Sequence, residues 1–291
     1  MLLNSKNILS VVVAMALALF ASCGNNFDDV PTRLVVEGYI DSDGYPRVYL
    51  TMSVSPSDHA KPLSDSFIRW GKVTVSDGDT TIILTGAADY DVFPPFVYRT
   101  YEMKGVPGKR YTVTAQYKEL TVTSSATMLQ PTAIDGIEFS PIEHNDSLCA
   151  TFINFTSPAD VPAYYVIQSR SRTRGTSFQT SMLGAFVANE PLSKYRMQVY
   201  RAGSDLDEML AGGEKPEKLS SSFVSGERIS VKLCRVPKEI YDFWVAFDNN
   251  STFGETRFVN GYTLLPSNIE GGYGVWSVQG ACTIDATVDC E

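Results

Sequence analysis

The chain has 291 residues, 44% of them hydrophobic and 11% aromatic, enough to bury a sizeable core and long enough for about two domains. A formal net charge of −9 with only 24 Lys and Arg argues against nucleic acid as a partner, because phosphate binding needs clustered cations. Charged residues make up 20% while Thr, Ser, Val and Tyr abound, which is a strand-forming composition.

Residues 1–22 read as a leader that is removed. Lys6 precedes "ILSVVVAMALALF", an apolar run of thirteen residues that is short for a membrane span. The run ends in "FASC", which resembles a bacterial lipoprotein signal cleaved just before a lipidated cysteine, here Cys23. Each acyl chain adds about 0.8 kcal/mol per buried methylene, and more than one chain makes the anchor stable. Residues 23–31 then form a lipidated tether. Asp28 and Asp29 resemble the acidic residues that follow the cysteine in surface-bound lipoproteins of the Bacteroidota type.

From residue 32 the pattern is strand after strand. "RLVVEGYI" leads through "DSDG" to "PRVYLTMSV"; "GKVTVS" and "TTIILTG" flank "DGD", a hairpin signal. "FVYRTYEMK", "RYTVTAQY" and "LTVTSSATM" follow. About seven short strands at this spacing predict an immunoglobulin-like or transthyretin-like β-sandwich over residues 32–130. Pro131 breaks the pattern, and residues 131–291 predict a second β-rich sandwich domain with one or two short helices. Its clearest strands are "AIDGIEF", "LCATFINF", "AYYVIQSRS", "YRMQVYR" and "RISVKLCRV". "SDLDEMLAG", with a Ser204 cap and a closing glycine, reads as a short helix. In "PKEIYDFWVAF", Ile240, Phe243, Trp244 and Phe247 share one helical face, which favours a helix, although the aromatic content equally suits a strand.

Beyond Cys23 there are four cysteines, and an exported compartment permits disulfides. Cys282 and Cys290 are the obvious local pair; Cys149 and Cys234 either bridge their strands or stay free. No CxxC or cysteine–histidine spacing fits zinc, so no metal or cofactor is expected.

Nothing marks a catalytic centre. His59 in "SPSDHAKP", beside Ser57 and Asp58, and His144 in "IEHNDS" read as solvated loop histidines. Asp41 and Asp43 in "DSDG" read as a tight turn, because the later ligands of a calcium loop are missing. "FDNNST" reads as a helix end rather than a polar binding loop. The better candidates are contact residues. Tyr90, Phe93, Phe96 and Tyr98 crowd the proline-stiffened "DYDVFPPFVY", where rings give contact area at low entropic cost. Arg170, Arg172 and Arg174 alternate, so in a strand they would form a positive stripe fit for an anionic ligand, a lipid headgroup or a receptor loop.

"PSNIEGGYGVWSV" near the C-terminus superficially suggests a phosphate loop. It lacks a lysine, is followed by a strand-like "GVWSV", and carries Glu270, whose charge repels phosphate. Its glycines instead predict left-handed backbone or close packing. Together with "RLVVEGYIDSDGYPRVYLTMS", "VTVSDGD", "GVPGKRYTV", "IDGIEF", "PAYYVIQSRSR" and "EIYDFWVAF", in this order, the stretch resembles the Bacteroidota lipoproteins called domain of unknown function 4249. The resemblance spans residues 31–278; the tail with its cysteine pair lies beyond it. It implies an outer-membrane lipoprotein, anchored by lipid and exposed at the cell surface. Its role would be accessory to a TonB-dependent receptor in nutrient uptake, either capturing a ligand of unknown identity or partnering the receptor, without catalysis. A structural or adhesive surface lipoprotein is the alternative.

Overall fold

The structure, a computed structural model, describes residues 32–54, 62–90, 92, 94–143, 145–201, 222–253 and 265–290. The leader, Cys23, Asp28, Asp29, the loop with Ser57, Asp58 and His59, Phe93, His144 and "SDLDEMLAG" lie outside the described residues.

The alternating "LVVEGYID" forms β1 (Leu34–Asp41), whose even residues Leu34, Val36 and Ile40 are buried. It turns back into β2 (Arg47–Met52) through "DSDG". There the Gly44 N–H donates to the Asp41 carbonyl at 2.9 Å and Asp43 sits at φ 59°, so the pair of aspartates makes a turn, as expected. β3 (Lys72–Ser76) and β4 (Thr81–Ile83) form the hairpin over "DGD", with Gly78 at φ 94°. β5 (Thr85–Ala88), β6 (Phe96–Arg99), β7 (Arg110–Tyr117) and β8 (Leu120–Thr127) complete the first half. The second half contains β9 (Ile134–Ile142), β10 (Asn145–Thr156), β11 (Ala163–Ser171), β12 (Gln179–Ala188), β13 (Lys194–Val199), β14 (Phe223–Val224), β15 (Arg228–Val236), α1 (Lys238–Phe253) and β16 (Tyr273–Thr287). No helix among the described residues is long and apolar enough to cross a membrane.

The fold is mainly β and multi-sheeted. Eight strands join in the order β12-β11-β15-β16-β1-β2-β6-β5, taking members from both sides of residue 131. Four-stranded sheets β4-β3-β7-β8 and β13-β10-β14, with β9 against β10, complete the layers. β16 is the joint. Its first half, Tyr273 to Gln279, pairs in parallel with β1, and its second half, Gly280 to Thr287, pairs antiparallel with β15. A strand that changes partners midway turns a corner between two packed sheets. Two apolar clusters result. One gathers Val36, Leu50, Val75, Val113 and Val122 around Trp276; the other gathers Ile153, Phe155, Tyr165, Ile167, Val231 and Leu233.

The strand-like "GVWSV" is the start of β16, and residues 275–280 are buried on both faces, as befits a central strand. Trp276 itself packs into the first half, where its Nε1–H donates to the Tyr111 carbonyl at 3.1 Å and its ring lies against Gly38.

"PKEIYDFWVAF" is helical. Pro237 precedes α1 and its carbonyl accepts from the Ile240 and Tyr241 amides at 3.1 and 3.2 Å. Ile240 and Phe243 are buried against Val166, Cys234 and Val236. The helix runs to Phe253, so "FDNNST" continues it instead of ending it.

The expected Cys282–Cys290 disulfide is not formed. Cys282 lies inside β16, whose extended residues carry the chain about 16 Å away from it by Thr287, and the tail beyond runs to β10. Cys290 instead bonds Cys149 of β10, with Cα atoms 5.9 Å apart, and ties the tail to the opposite sheet. Cys234 is a buried free thiol and Cys282 a partly exposed one.

Candidate functional site

Period-two alternation decides where chemistry surfaces on the large sheet. Along β15, Val236 and Cys234 lie in the core cluster under α1, while two and four residues further on the same face carries Lys232 and Ser230. Along β11 the same face runs from Val166 through Gln168 to Arg170. Directly opposed residues of an antiparallel pair share a face, so Tyr39 of β1, Arg47 of β2 and Arg99 of β6 form one row. Arg170 and Arg47 sit on strands four steps apart, about 19 Å across a flat sheet, and their registers on β16, at Asp285 and Ser277, lie a further roughly 26 Å apart along it. Yet both line the same clefts, so the sheet is bent towards this face.

Two adjoining clefts, of about 450 and 560 Å³, share Arg47, Arg99, Arg170 and Ser177 in their walls. The first is floored by Tyr39, Lys232 and Phe178 and rimmed by Tyr45 and Tyr101. The second adds Asp89, Tyr90 and the turn at Gly175–Ser177.

The cations are held differently. Lys232, 5% exposed, donates from Nζ to Asp41 Oδ2 at 2.6 Å and lies 4.1 Å from the Phe178 ring centroid. Arg47 and Arg99 stand directly opposite one another and share a single oxygen, Asp89 Oδ2, at 3.6 and 3.9 Å. Like charges so opposed destabilise a strand pair. Arg170 stacks 4.5 Å from the Phe178 centroid and donates from Nε to Ser230 Oγ at 3.2 Å, without a carboxylate partner among the described residues. Burial pushes the Tyr39 phenol up to about 12, so it stays a neutral hydroxyl at ordinary pH. Tyr45 and Tyr101 meet edge to face at 5.2 Å. Among the described residues no cluster of three or more His, Cys, Asp or Glu is placed to hold a metal.

Of the sequence candidates, Tyr90, 87% exposed, and Arg170 meet at the second cleft. The others do not. Tyr98 is 2% exposed: its hydroxyl donates to the Ile68 carbonyl at 3.0 Å and accepts from the Gly71 amide at 2.8 Å, which makes it core. Phe96 packs edge to face on Tyr98 at 5.5 Å and against the same cluster. The arginine stripe is not a stripe, because β11 ends at Ser171 and the chain turns. Only Arg170 is in the strand; Arg172 pairs with Asp285 at 2.9 Å and Arg174 approaches Glu227 at 3.8 Å.

Residues 25–283 match the family described as Domain of unknown function (DUF4249). The chain belongs to the DUF4249 family. The match takes in every strand from β1 to β15 and most of β16, and therefore all the cleft residues of this DUF4249 chain. No curated protein matches it. Among solved structures, a two fibronectin type-III domain segment from chicken tenascin is similar, at 16% identity over 70% of this chain and 91% of that one, with a TM-score of 0.19. The cleft residues missed from sequence, Arg47, Arg99, Lys232 and Phe178, lie up to 185 residues apart (Arg47 to Lys232) and carry no motif. The only local hint is a lysine in the otherwise apolar centre of "RISVKLCRV".

Proposed function

We propose that this DUF4249 protein is a non-catalytic, lipid-anchored outer-membrane protein that captures a ligand for, or partners, a TonB-dependent receptor in nutrient uptake. The observation that carries the reading is the cleft, whose cations and rings are fixed on a bent sheet and ready to hold a ligand. Binding is favoured over turnover by the state of its reactive groups. The Lys232 amine is tied to Asp41 at 2.6 Å, and burial pushes the Cys234 thiol beneath it far up, keeping it inert. The leader ending in "FASC" supports the anchor, and the family resemblance supports the receptor. The test is a mild-detergent pulldown of the tagged, natively expressed lipoprotein followed by mass spectrometry. Enrichment of a TonB-dependent receptor is expected. Enrichment of fimbrial or matrix components without such a receptor would overturn the proposal in favour of a structural or adhesive role.

A further inference from the structure

We infer that the paired clefts bind a ring-shaped ligand bearing an oxyanion, such as a sugar phosphate, sugar sulfate or uronate, with Arg47, Arg99 and Arg170 gripping the oxyanion. The inference rests on the capture reading above and names its ligand class.

Charge comes first. The wall shared by the two clefts brings together three arginines, with Asp89 beside them in the second cleft; with Lys232, Asp41 and Asp43 of the first, the described lining sets four cations against three carboxylates on a chain of net −9. Stability does not account for this surplus. Arg47 opposes Arg99 directly, and the oxygen they share lies at 3.6 and 3.9 Å, too far for good hydrogen bonds. An oxyanion placed between them would relieve the repulsion and accept those bonds.

Geometry comes second. Phe178 stacks on the Arg170 guanidinium and Ser230 takes its Nε–H, which fixes the plane of the group. Its two terminal nitrogens keep no protein acceptor among the described residues. These are the donors with which arginine engages oxyanions in bidentate fashion. By contrast Lys232 is already neutralised by Asp41, so it belongs to the floor and not to the grip.

The third observation selects a ring rather than a bare ion. The first cleft is lined, besides the arginines, by the aromatic residues Phe178, Tyr39, Tyr45 and Tyr101 and by Ser177, Thr100 and Thr283. Rings flanked by hydroxyl donors suit the apolar face and the hydroxyl rim of a pyranose. The volume of about 450 Å³ is in the range of small-molecule sites.

The experiment is isothermal titration of the full-length lipoprotein in detergent with glucose 6-phosphate, glucose 6-sulfate, glucuronate, glucose and inorganic phosphate. At least one charged sugar is expected to bind about tenfold or more tightly than both glucose and inorganic phosphate, and to weaken as salt shortens the screening length. Arg170→Gln and Arg99→Gln are each expected to lose about tenfold in that affinity. Both should melt within a few degrees of the parent, and Arg110→Gln, an exposed arginine of β7 outside the clefts, should bind unchanged. Three results overturn the inference: glucose binding as tightly as its charged forms, inorganic phosphate alone matching them, or no charged sugar binding. The receptor pulldown decides the capture reading separately, so the two failures are distinguishable.

Discussion

Gly274 is where one methyl group should disturb the whole fold. It sits in β16 directly opposite Val36 of β1, at φ 107°, and a Cβ there would strike the Val36 carbonyl oxygen. The left-handed backbone costs a residue with a side chain about 1–2 kcal/mol. The collision is with the backbone of a central strand, which cannot yield without separating β1 from β16 and weakening ladder hydrogen bonds worth roughly 0.5–1.5 kcal/mol each. Gly274→Ala is therefore expected to lose about 3–5 kcal/mol, a large part of a typical total of roughly 5–15. Gly78 provides the control: its φ is 94° and nothing lies within 4 Å of its Cβ position, so Gly78→Ala should lose only about 1 kcal/mol. Gly272 separates the effects from the other side. Its backbone is not left-handed, but its Cβ would lie 2.5 Å from the Leu34 carbonyl and 2.7 Å from Val122 Cγ1, so Gly272→Val should destabilise through contact alone. Urea unfolding followed by far-ultraviolet circular dichroism measures all three, provided the slopes agree. Equal losses for Gly274→Ala and Gly78→Ala would refute the collision argument. A wild-type curve for both would refute the backbone argument.

Asp248 of α1 accepts from the Leu183 and Ala185 amides of β12, yet burial raises its carboxyl from 3.8 to about 6. A raised folded value means its stabilising contribution is complete below pH 4 and fades as pH rises through about 6, so Asp248→Asn should gain on the parent above pH 6. The full shift corresponds to about 3 kcal/mol, which partial exposure screens to about 1 kcal/mol; thermal melts at pH 4.5 and 7.5 that show no change in the difference would contradict this. Non-reducing peptide mapping should find Cys149 joined to Cys290, and Cys149→Ser should lower stability by up to about 4–5 kcal/mol for a loop this long. A Cys282–Cys290 peptide would reverse the assignment. Cys23→Ala is expected to abolish lipidation and release the protein from the outer-membrane fraction, and unchanged fractionation would dispose of the anchor.

The sequence by itself determined the strands whose pattern is local. β1 to β4, β7, β8, β11 and β15 alternate apolar and polar residues or run apolar between turn signals, so their existence follows from composition and period alone. The helical spacing of Ile240, Phe243, Trp244 and Phe247 worked for the same reason. Gly271, at φ 81°, and Gly274, at φ 107°, were legible as left-handed glycines: the first sits in the turn before β16, and the second lets β16 approach the Val36 carbonyl of β1 closely. What depended on partners was decided by the tertiary structure. β12 escaped notice because Leu183, at φ 55°, and a register shift opposite Val166–Gln168 interrupt its alternation. The length of β16 and its change of partner at Gly280 come from which strands flank it, and that placement carries Cys290 away from Cys282 and towards Cys149. Tyr98 looked like a contact ring because sequence cannot tell an outward tyrosine from one whose hydroxyl is satisfied inside. The cleft is the extreme case. Its arginines and lysine come from β2, β6, β11 and β15, and only the bend of the shared sheet brings their side chains to one place.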